Sequence, residues 1–206
     1  MKVKTGQQVT DMLRDPANRT AKMLVIDELV EGAVRIGPNS SGRQIVFHGG
    51  IQGQLHVFSL VSDLSVLGAI ECPDPAKPAI YASEVQRLCI DVQVVGGSMG
   101  MLVQKSSDIY LSGHLAGTGK TEVGQGYAVN LQACNRFHVG RMLIEDFRYG
   151  TSLNGIWNAQ TETWEGGCSD GYVSDLYGRV TEAMCDIHSG HHQRIPKERE
   201  PQALLV

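Results

Sequence analysis

Internal repetition in the second half of the chain is the feature that most limits its fold. Four segments align at a spacing of 28 residues, and the alignment gives two apolar columns and two columns that are mostly polar. The polar columns are Leu102, Asn130, Asn158, Asp186 and Gln104, Gln132, Gln160, His188; the apolar columns are Met101, Val129, Trp157, Cys185 and Val103, Leu131, Ala159, Ile187. Apolar and polar positions therefore alternate with period two, which predicts β-strands stacked in register.

Shorter steps extend the pattern towards the N-terminus. Ala82 precedes Leu88 by six residues, and Phe58 stands in the same relation to Leu64. The copies recur every 21–28 residues, and each holds two or three short strands separated by turns. A leucine-rich repeat would show a helix in every copy, and a propeller blade would need about 40 residues. A parallel β-solenoid fits best, because its strands stack at about 4.8 Å and its inward side chains form one core.

The segment ACNRFHVGRMLIEDFRYG (133–150) resembles the repeated unit of the right-handed parallel β-helix of the pectin-lyase-like superfamily. A cysteine and two polar turn residues are followed there by a short strand, a glycine turn and a second strand. The segment GQQVTDMLRD (6–15) is similar to the amphipathic helix that caps the N-terminal end of these proteins. The resemblance implies an all-β fold with a cap segment at 1–22, β-helix coils at 23–195 and a charged tail at 196–206.

Within that superfamily the chain looks most like bacteriophage tailspikes and related polysaccharide-acting proteins. This resemblance implies a depolymerase, either a glycoside hydrolase or a lyase, that binds long and often acidic polysaccharides along the outside of the helix, in the virion or outside the cell. It also implies a homotrimer. An uncovered last coil would leave an unpaired strand edge, so we expect the tail, a capping partner chain or further residues of a longer protein to cover it. A non-catalytic glycan-binding or adhesion module and a structural virion component are the alternatives.

Stacked amide side chains are the candidate substrate-binding groups. The predicted outer face carries Gln104, Asn130, Gln132, Asn158 and Gln160. Amides repeated at one strand separation can both donate hydrogen bonds to sugar hydroxyls and accept them. They can equally form a ladder that only stabilises the stack, and the sequence leaves both interpretations open.

The segment MCDIHSGHH (184–192) contains the densest set of candidate catalytic groups. Asp186 and His188 alternate onto one face, where they would act as an acid–base pair. Glycoside hydrolysis needs two carboxyl groups about 5–9.5 Å apart, and Asp170 and Asp175 in CSDGYVSD are candidates for the second. A metal site and a last coil that is merely polar are the alternatives for this segment.

Composition and the remaining motifs weigh against several classes of protein. A net charge of −4 gives no indication of nucleic-acid binding. The sequence contains no run of about 18 apolar residues, so it predicts no membrane span. The N-terminal segment lacks the apolar region of a signal peptide, and the five cysteines lack the spacing of a zinc site. HLAGTGKTEVG (114–124) ends like a phosphate-binding loop, but His114 occupies the position of its first glycine. We therefore interpret this segment as a loop between strands and expect neither metal nor cofactor.

Overall fold

The fold is mostly β, and its main feature is one strongly curled parallel sheet of seventeen strands. The computed structural model describes residues 2–119, 126–187 and 190–191. One α-helix and two 3₁₀ helices lie among the N-terminal strands, and two further strands form a separate antiparallel hairpin. The prediction of a mostly β chain built on parallel strands is confirmed.

The described residues form nineteen strands and three helices. The helices are α1 (Gly6–Arg14) and the 3₁₀ helices Pro16–Thr20 and Pro38–Ser40. The strands are β1 (Val3–Thr5), β2 (Met23–Ile26), β3 (Leu29–Glu31), β4 (Val34–Ile36), β5 (Arg43–Gln52), β6 (Leu55–Val57), β7 (Ser62–Cys72), β8 (Pro78–Ser83), β9 (Gln86–Gly96), β10 (Met99–Gln104), β11 (Ser107–Ala116), β12 (Tyr127–Gln132), β13 (Asn135–Asn154), β14 (Ile156–Asn158), β15 (Thr163–Glu165), β16 (Cys168–Ser169), β17 (Tyr172–Val173), β18 (Leu176–Ile187) and β19 (Gly190–His191).

Many strands pair with strands two positions away in chain order. β9 lies between β7 and β11, and β10 lies between β8 and β12. The chain therefore leaves each column of strands and returns to it, so that Leu88 pairs with Ile109 and Ile109 pairs with Phe137. These returns take 21 and 28 residues, which is the range that the sequence repeat predicted.

Inward side chains of successive strands form one continuous apolar core. Val66, Ile90, Leu111 and Val139 are paired one after another, and all four are buried. Each fully buried side chain of this kind contributes about 1.5–3 kcal/mol relative to leaving it in water. Alternation within each strand sends the intervening residues to the outer surface, where any ligand must bind.

Helix α1 begins at a capping box formed by Thr5 and Gln8. The Thr5 hydroxyl accepts a hydrogen bond from the Gln8 backbone N–H, and the Gln8 side chain accepts one from the Thr5 N–H. Val9 and Leu13, one helical turn apart, are buried in the core. The Thr10 hydroxyl accepts a hydrogen bond of 2.9 Å from the backbone N–H of Arg35 in β4, so the helix is held to the sheet by packing and by hydrogen bonding.

Two glycines interrupt the long strands β7 and β11 at one level of the sheet. Gly68 and Gly113 both pair with Val92 and have φ values of +140° and +130°. Residues other than glycine rarely adopt this backbone conformation. A Cβ on Gly68 would lie 2.5 Å from the Phe47 carbonyl oxygen, and one on Gly113 would lie 1.9 Å from the Val92 carbonyl oxygen. The strands therefore change direction here with their backbones in close contact.

The predicted register holds for one 28-residue step and then fails. Gln104 pairs with Gln132, as predicted. In the next strand Asn154 pairs with Gln132, whereas the sequence predicted Gln160 at that position. The chain returns after 22 residues at this point, so Tyr149–Asn154 stack on β12, and residues 156–165 then leave the sheet as the antiparallel hairpin β14–β15.

Trp157 and Asn158 are misplaced by the sequence alignment for the same reason. Trp157 was predicted in a core column, but it faces Trp164 across the hairpin and is 49% exposed. Asn158 was predicted beside Asp186, but Ser152 is the residue that pairs with Asp186. The two tryptophans pack edge to face with ring centroids 5.4 Å apart, which helps to explain how a short hairpin forms outside the sheet.

A one-residue error affects the earlier copy around Phe58. Val57 pairs with Ala82, whereas the sequence pattern placed Phe58 in that column. Phe58 points outward and is 37% exposed, while Val57 is buried. A one-residue shift moves a strand residue to the opposite face of the sheet, so the error exchanges a core position for a surface position.

Candidate functional site

An open groove of about 560 Å³ follows the outer surface of the sheet where its strands change direction. Strands β5, β7, β9 and β11 contribute to it in spatial order. Gly68 and Gly113 form part of its floor, together with the outward side chains of Leu67 and Ala69.

Polar side chains from three strands line the groove. Asp91 and Gln93 come from β9, where they alternate with core residues and are exposed. His48 comes from β5, and His114 from β11 pairs directly with Gln93. The groove therefore offers a carboxylate, an amide and two imidazoles, which together can donate and accept hydrogen bonds.

Each histidine of the groove is held by a carboxylate. The Nε2 atom of His114 lies 2.9 Å from Glu145 Oε2, and the Nδ1 atom of His48 lies 3.1 Å from Asp27 Oδ1. A carboxylate on one ring nitrogen fixes the ring orientation and the proton position. The two imidazoles are thus oriented within the groove before any ligand binds.

A row of aromatic rings crosses three paired strands of the sheet. Tyr110, His138 and Tyr172 occupy paired positions on β11, β13 and β17. The ring of His138 lies 5.1 Å from that of Tyr110 and 5.2 Å from that of Tyr172, measured between centroids. This spacing is close to the strand separation of about 4.8 Å, so the register of the sheet sets it. Tyrosine rings present both an apolar face and a polar tip to a ligand.

Asp175, one of the predicted catalytic residues, lies beside this aromatic row. The Ser174 hydroxyl is 3.0 Å from His138 Nε2 and 3.3 Å from Asp175 Oδ2. Gly140 makes this contact possible, because a Cβ there would lie 2.7 Å from His138 Nε2 and 2.9 Å from the Ser174 hydroxyl. Ser174 is only 7% exposed. Its hydroxyl therefore connects the histidine to the aspartate and is poorly placed to act as a nucleophile.

The predicted catalytic carboxylates do not form a close pair. Asp170 lies alongside the start of β13, Asp175 alongside its middle and Asp186 alongside its end. Because β13 is twenty residues long, these points are far apart on the sheet. The combination of Asp186 with Asp170 or Asp175 for hydrolysis therefore has no geometric support. His188, the predicted partner of Asp186, lies outside the described residues.

Asp170 instead belongs to a charge ladder along one turn of the sheet. The ladder consists of Asp63, Arg87, Asp108, Arg136 and Asp170, which occupy the same position on successive strands. All five have φ values between 47° and 58°. Arg87 donates to both carboxylate oxygens of Asp63 at 2.5 and 2.8 Å, and Arg136 donates to both of Asp108 at 2.7 and 2.8 Å. These hydrogen bonds lower the pKa of Asp63 and of Asp108.

The amide column bonds to itself on the described part of the surface. The Gln104 side chain donates to Gln132 Oε1 at 2.5 Å and accepts a hydrogen bond of 2.9 Å from the Tyr81 hydroxyl. Asn130, which is 3% exposed, accepts a hydrogen bond of 3.1 Å from Asn154. This arrangement matches the stabilising ladder that the sequence left open as an alternative to sugar binding.

The other two predicted amides lie in the hairpin, away from that column. Asn158 donates to Glu165 Oε1, and its own side-chain oxygen accepts a 2.9 Å hydrogen bond from the backbone N–H of Gln160. Asn158 therefore stabilises the hairpin turn. The groove residues Asp91, Gln93 and His114 were not among the predicted site residues.

Metal and membrane features were also considered in the sequence prediction. Residues 2–119, 126–187 and 190–191 contain no group of three or more His, Cys, Asp or Glu side chains that could hold a metal ion. In the same ranges no helix has the length and apolar character needed to cross a membrane. Lys120 and Thr121 of the Gly-Thr-Gly-Lys-Thr segment lie outside the described residues, just after β11 and the loop residues that follow it.

Comparison with known proteins assigns no family to this arrangement. The chain matches no protein-family model. Comparisons with curated proteins and with solved structures likewise give no match. The functional interpretation therefore depends on the groove, the aromatic row and the pattern of strand pairing.

Proposed function

We propose that this chain is a right-handed parallel β-helix of the pectin-lyase-like type, capped at its N-terminal end by α1, that binds an extended polysaccharide in the groove. The proposed fold is supported by parallel pairing between strands two positions apart and by the regular return of the chain to each column. The proposed cap is supported by the burial of Val9 and Leu13 against the core.

The direction of the groove is the observation that carries the proposed function. Its lining comes from successive paired strands, so neighbouring residues across the groove are about 4.8 Å apart. Gln93 and His114 are paired in this way, and β7 contributes Leu67, Gly68 and Ala69 between His48 and Gln93. An extended polymer can contact all four strands, whereas a compact small molecule would use only a part of the groove.

Binding without cleavage is the form of the proposal that the described residues support best. Two-carboxylate hydrolysis needs an acid pair about 5–9.5 Å apart, and Asp170, Asp175 and Asp186 lie at separate points along β13. A tailspike-like hydrolase or lyase is the second candidate, because Asp91 and the oriented imidazole of His114 line the same groove. A virion or extracellular location and a homotrimer are proposed through the same resemblance.

Affinity electrophoresis against a panel of neutral and acidic polysaccharides tests the proposal. Gln93→Ala removes an amide from the groove, and we expect it to weaken binding about tenfold, the effect of losing roughly 1.4 kcal/mol. Gln86→Ala is the matched control, because Gln86 is an exposed glutamine on the same strand outside the groove. Gel filtration of the polymers after incubation, with ultraviolet detection of unsaturated ends, separates binding from hydrolysis and from lyase activity. Failure of every polymer to bind would refute the proposed function.

A further inference from the structure

The groove contains a carboxylate that forms no ion pair with a described lysine or arginine. Asp91 is exposed in its lining, and no described lysine or arginine lies within 4.0 Å of its carboxylate. Burial raises the pKa of the Cys89 thiol, and the negative charge of Asp91 raises it further. Among the described residues that line the groove, none is a lysine or an arginine.

Two more carboxylates contact the histidines that line the groove. Asp27 holds His48, and Glu145 holds His114. With Asp91 this makes three carboxylates along the groove and its rim.

The nearest basic residues by register lie on strands beyond the lining of the groove. Arg141 lies in the next strand beyond the groove, at the position that Asp175 occupies on the following one. Arg179 lies opposite Glu145, with its guanidinium 4.0 Å from Asp146. Neither arginine contributes to the lining of the groove.

We propose that the groove selects uncharged polysaccharides and discriminates against polymers that carry carboxylates; this inference rests on the proposed glycan-binding function. Like charges brought together in a binding site suppress the wrong partner. An acidic polymer in the groove would place its carboxylates within the Debye length of Asp91, which is about 10 Å at 0.1 M salt. Uncharged hydroxyls instead donate hydrogen bonds to Asp91 and exchange them with Gln93. The groove thus reverses the preference for acidic polymers that the family resemblance implies.

Matched pairs of polymers isolate the charge from the sugar. Each acidic polysaccharide is compared with its own methyl ester, in which the carboxylates are neutral, beside a set of naturally neutral polymers. At pH 8 and 10 mM salt we expect an ester or a neutral polymer to bind at least tenfold more tightly than any free acid. The difference should shrink at 1 M salt, where the Debye length is about 3 Å.

Two substitutions assign the effect to the groove. Asp91→Asn should narrow the difference between ester and acid, and Asp91→Lys should reverse it. Asp11→Asn makes the same change of charge on the exposed surface of α1 and should leave the difference unaltered. Free acids that bind as tightly as their esters at low salt would overturn this inference while leaving glycan binding intact. Absence of binding by every polymer would overturn the proposed function and this inference together.

Discussion

Replacing Gly113 by alanine tests how closely the strands approach one another at the groove. The new Cβ would lie 1.9 Å from the Val92 carbonyl oxygen and 2.9 Å from the Val92 backbone carbon and nitrogen. Those atoms belong to the neighbouring strand β9, so no side-chain rotation can relieve the contact. The two backbones would have to separate locally by more than 1 Å to restore ordinary contact near 3.4 Å.

Three effects add in this substitution. A non-glycine residue at a φ of +130° costs about 1–3 kcal/mol. Overpacking against a backbone that cannot move freely costs about 1–3 kcal/mol more. Separating the strands weakens at least one hydrogen bond of the ladder, which is worth about 1 kcal/mol. The free energy of unfolding should therefore fall by about 3–7 kcal/mol, a large part of a typical total of about 5–15 kcal/mol.

Two other glycines separate these effects. Gly37 has an extended φ of −117° and no atom within 4 Å of its would-be Cβ, so Gly37→Ala should change the stability by less than about 0.5 kcal/mol. Gly32 has a φ of +91° with the same open surroundings, so Gly32→Ala reports conformational strain alone, about 1–2 kcal/mol. Urea denaturation followed by circular dichroism gives the three values. Equal midpoints for Gly113→Ala and Gly32→Ala would refute the close approach of β9 and β11.

Three further predictions concern charge, burial and the hairpin. Hydrogen bonds from Arg136 lower the pKa of Asp108, so the contribution of this carboxylate to stability is present above about pH 4 and is lost as the pH falls through its pKa in the folded protein. Asp108→Asn should therefore lower the thermal unfolding midpoint at pH 7 but have little effect near pH 2. Burial, reinforced by the charges of Arg35 and Lys77, lowers the pKa of His56. Stability should therefore decrease as the pH falls below 6.5 and level off below the pKa of His56 in the folded protein. His56→Gln should remove this part of the pH dependence, measured as urea unfolding midpoints at pH 8, 6 and 5. Trp157→Ala should abolish the exciton-coupled circular dichroism of its pair with Trp164 while moving the global unfolding midpoint little, because the hairpin lies outside the sheet; a large loss of global stability would show that the hairpin supports the core.

The stacked strands could be predicted as far as the 28-residue spacing holds. Ala82, Val103 and Leu131 fall in one buried column, as the alternating pattern indicated. The next member is Leu153, but the alignment chose Ala159. The hairpin strands alternate with period two just as stacked strands do, so periodicity alone cannot distinguish them.

The groove could not be predicted, because it depends on how several strands change direction together. The alternation in IDVQVV places Asp91 and Gln93 on the outside, but it does not say which outer column is concave. The available signal was a glycine inside two strand patterns, at Gly68 and Gly113, since such glycines often mark a close approach of backbones.

The predicted catalytic aspartates show a different kind of ambiguity. Asp170 and Asp175 have φ values of 53° and 50°. Aspartate tolerates this left-handed conformation better than most residues, so a turn can select it for its backbone. A sequence pattern does not distinguish an aspartate that forms a turn from an aspartate that acts as a catalytic acid. The position of each carboxylate along β13 makes that distinction.

The charge ladder at the turn of the sheet has a consequence for changes in chain length. Its signs alternate from Asp63 through Arg87 and Asp108 to Arg136. Deleting the repeat that contains Asp108 would place two arginines side by side, and duplicating any single repeat would place like charges together. Adding or removing two adjacent repeats keeps every carboxylate beside a guanidinium. Along this turn the fold therefore obeys a parity rule, under which repeats are gained or lost most easily in pairs.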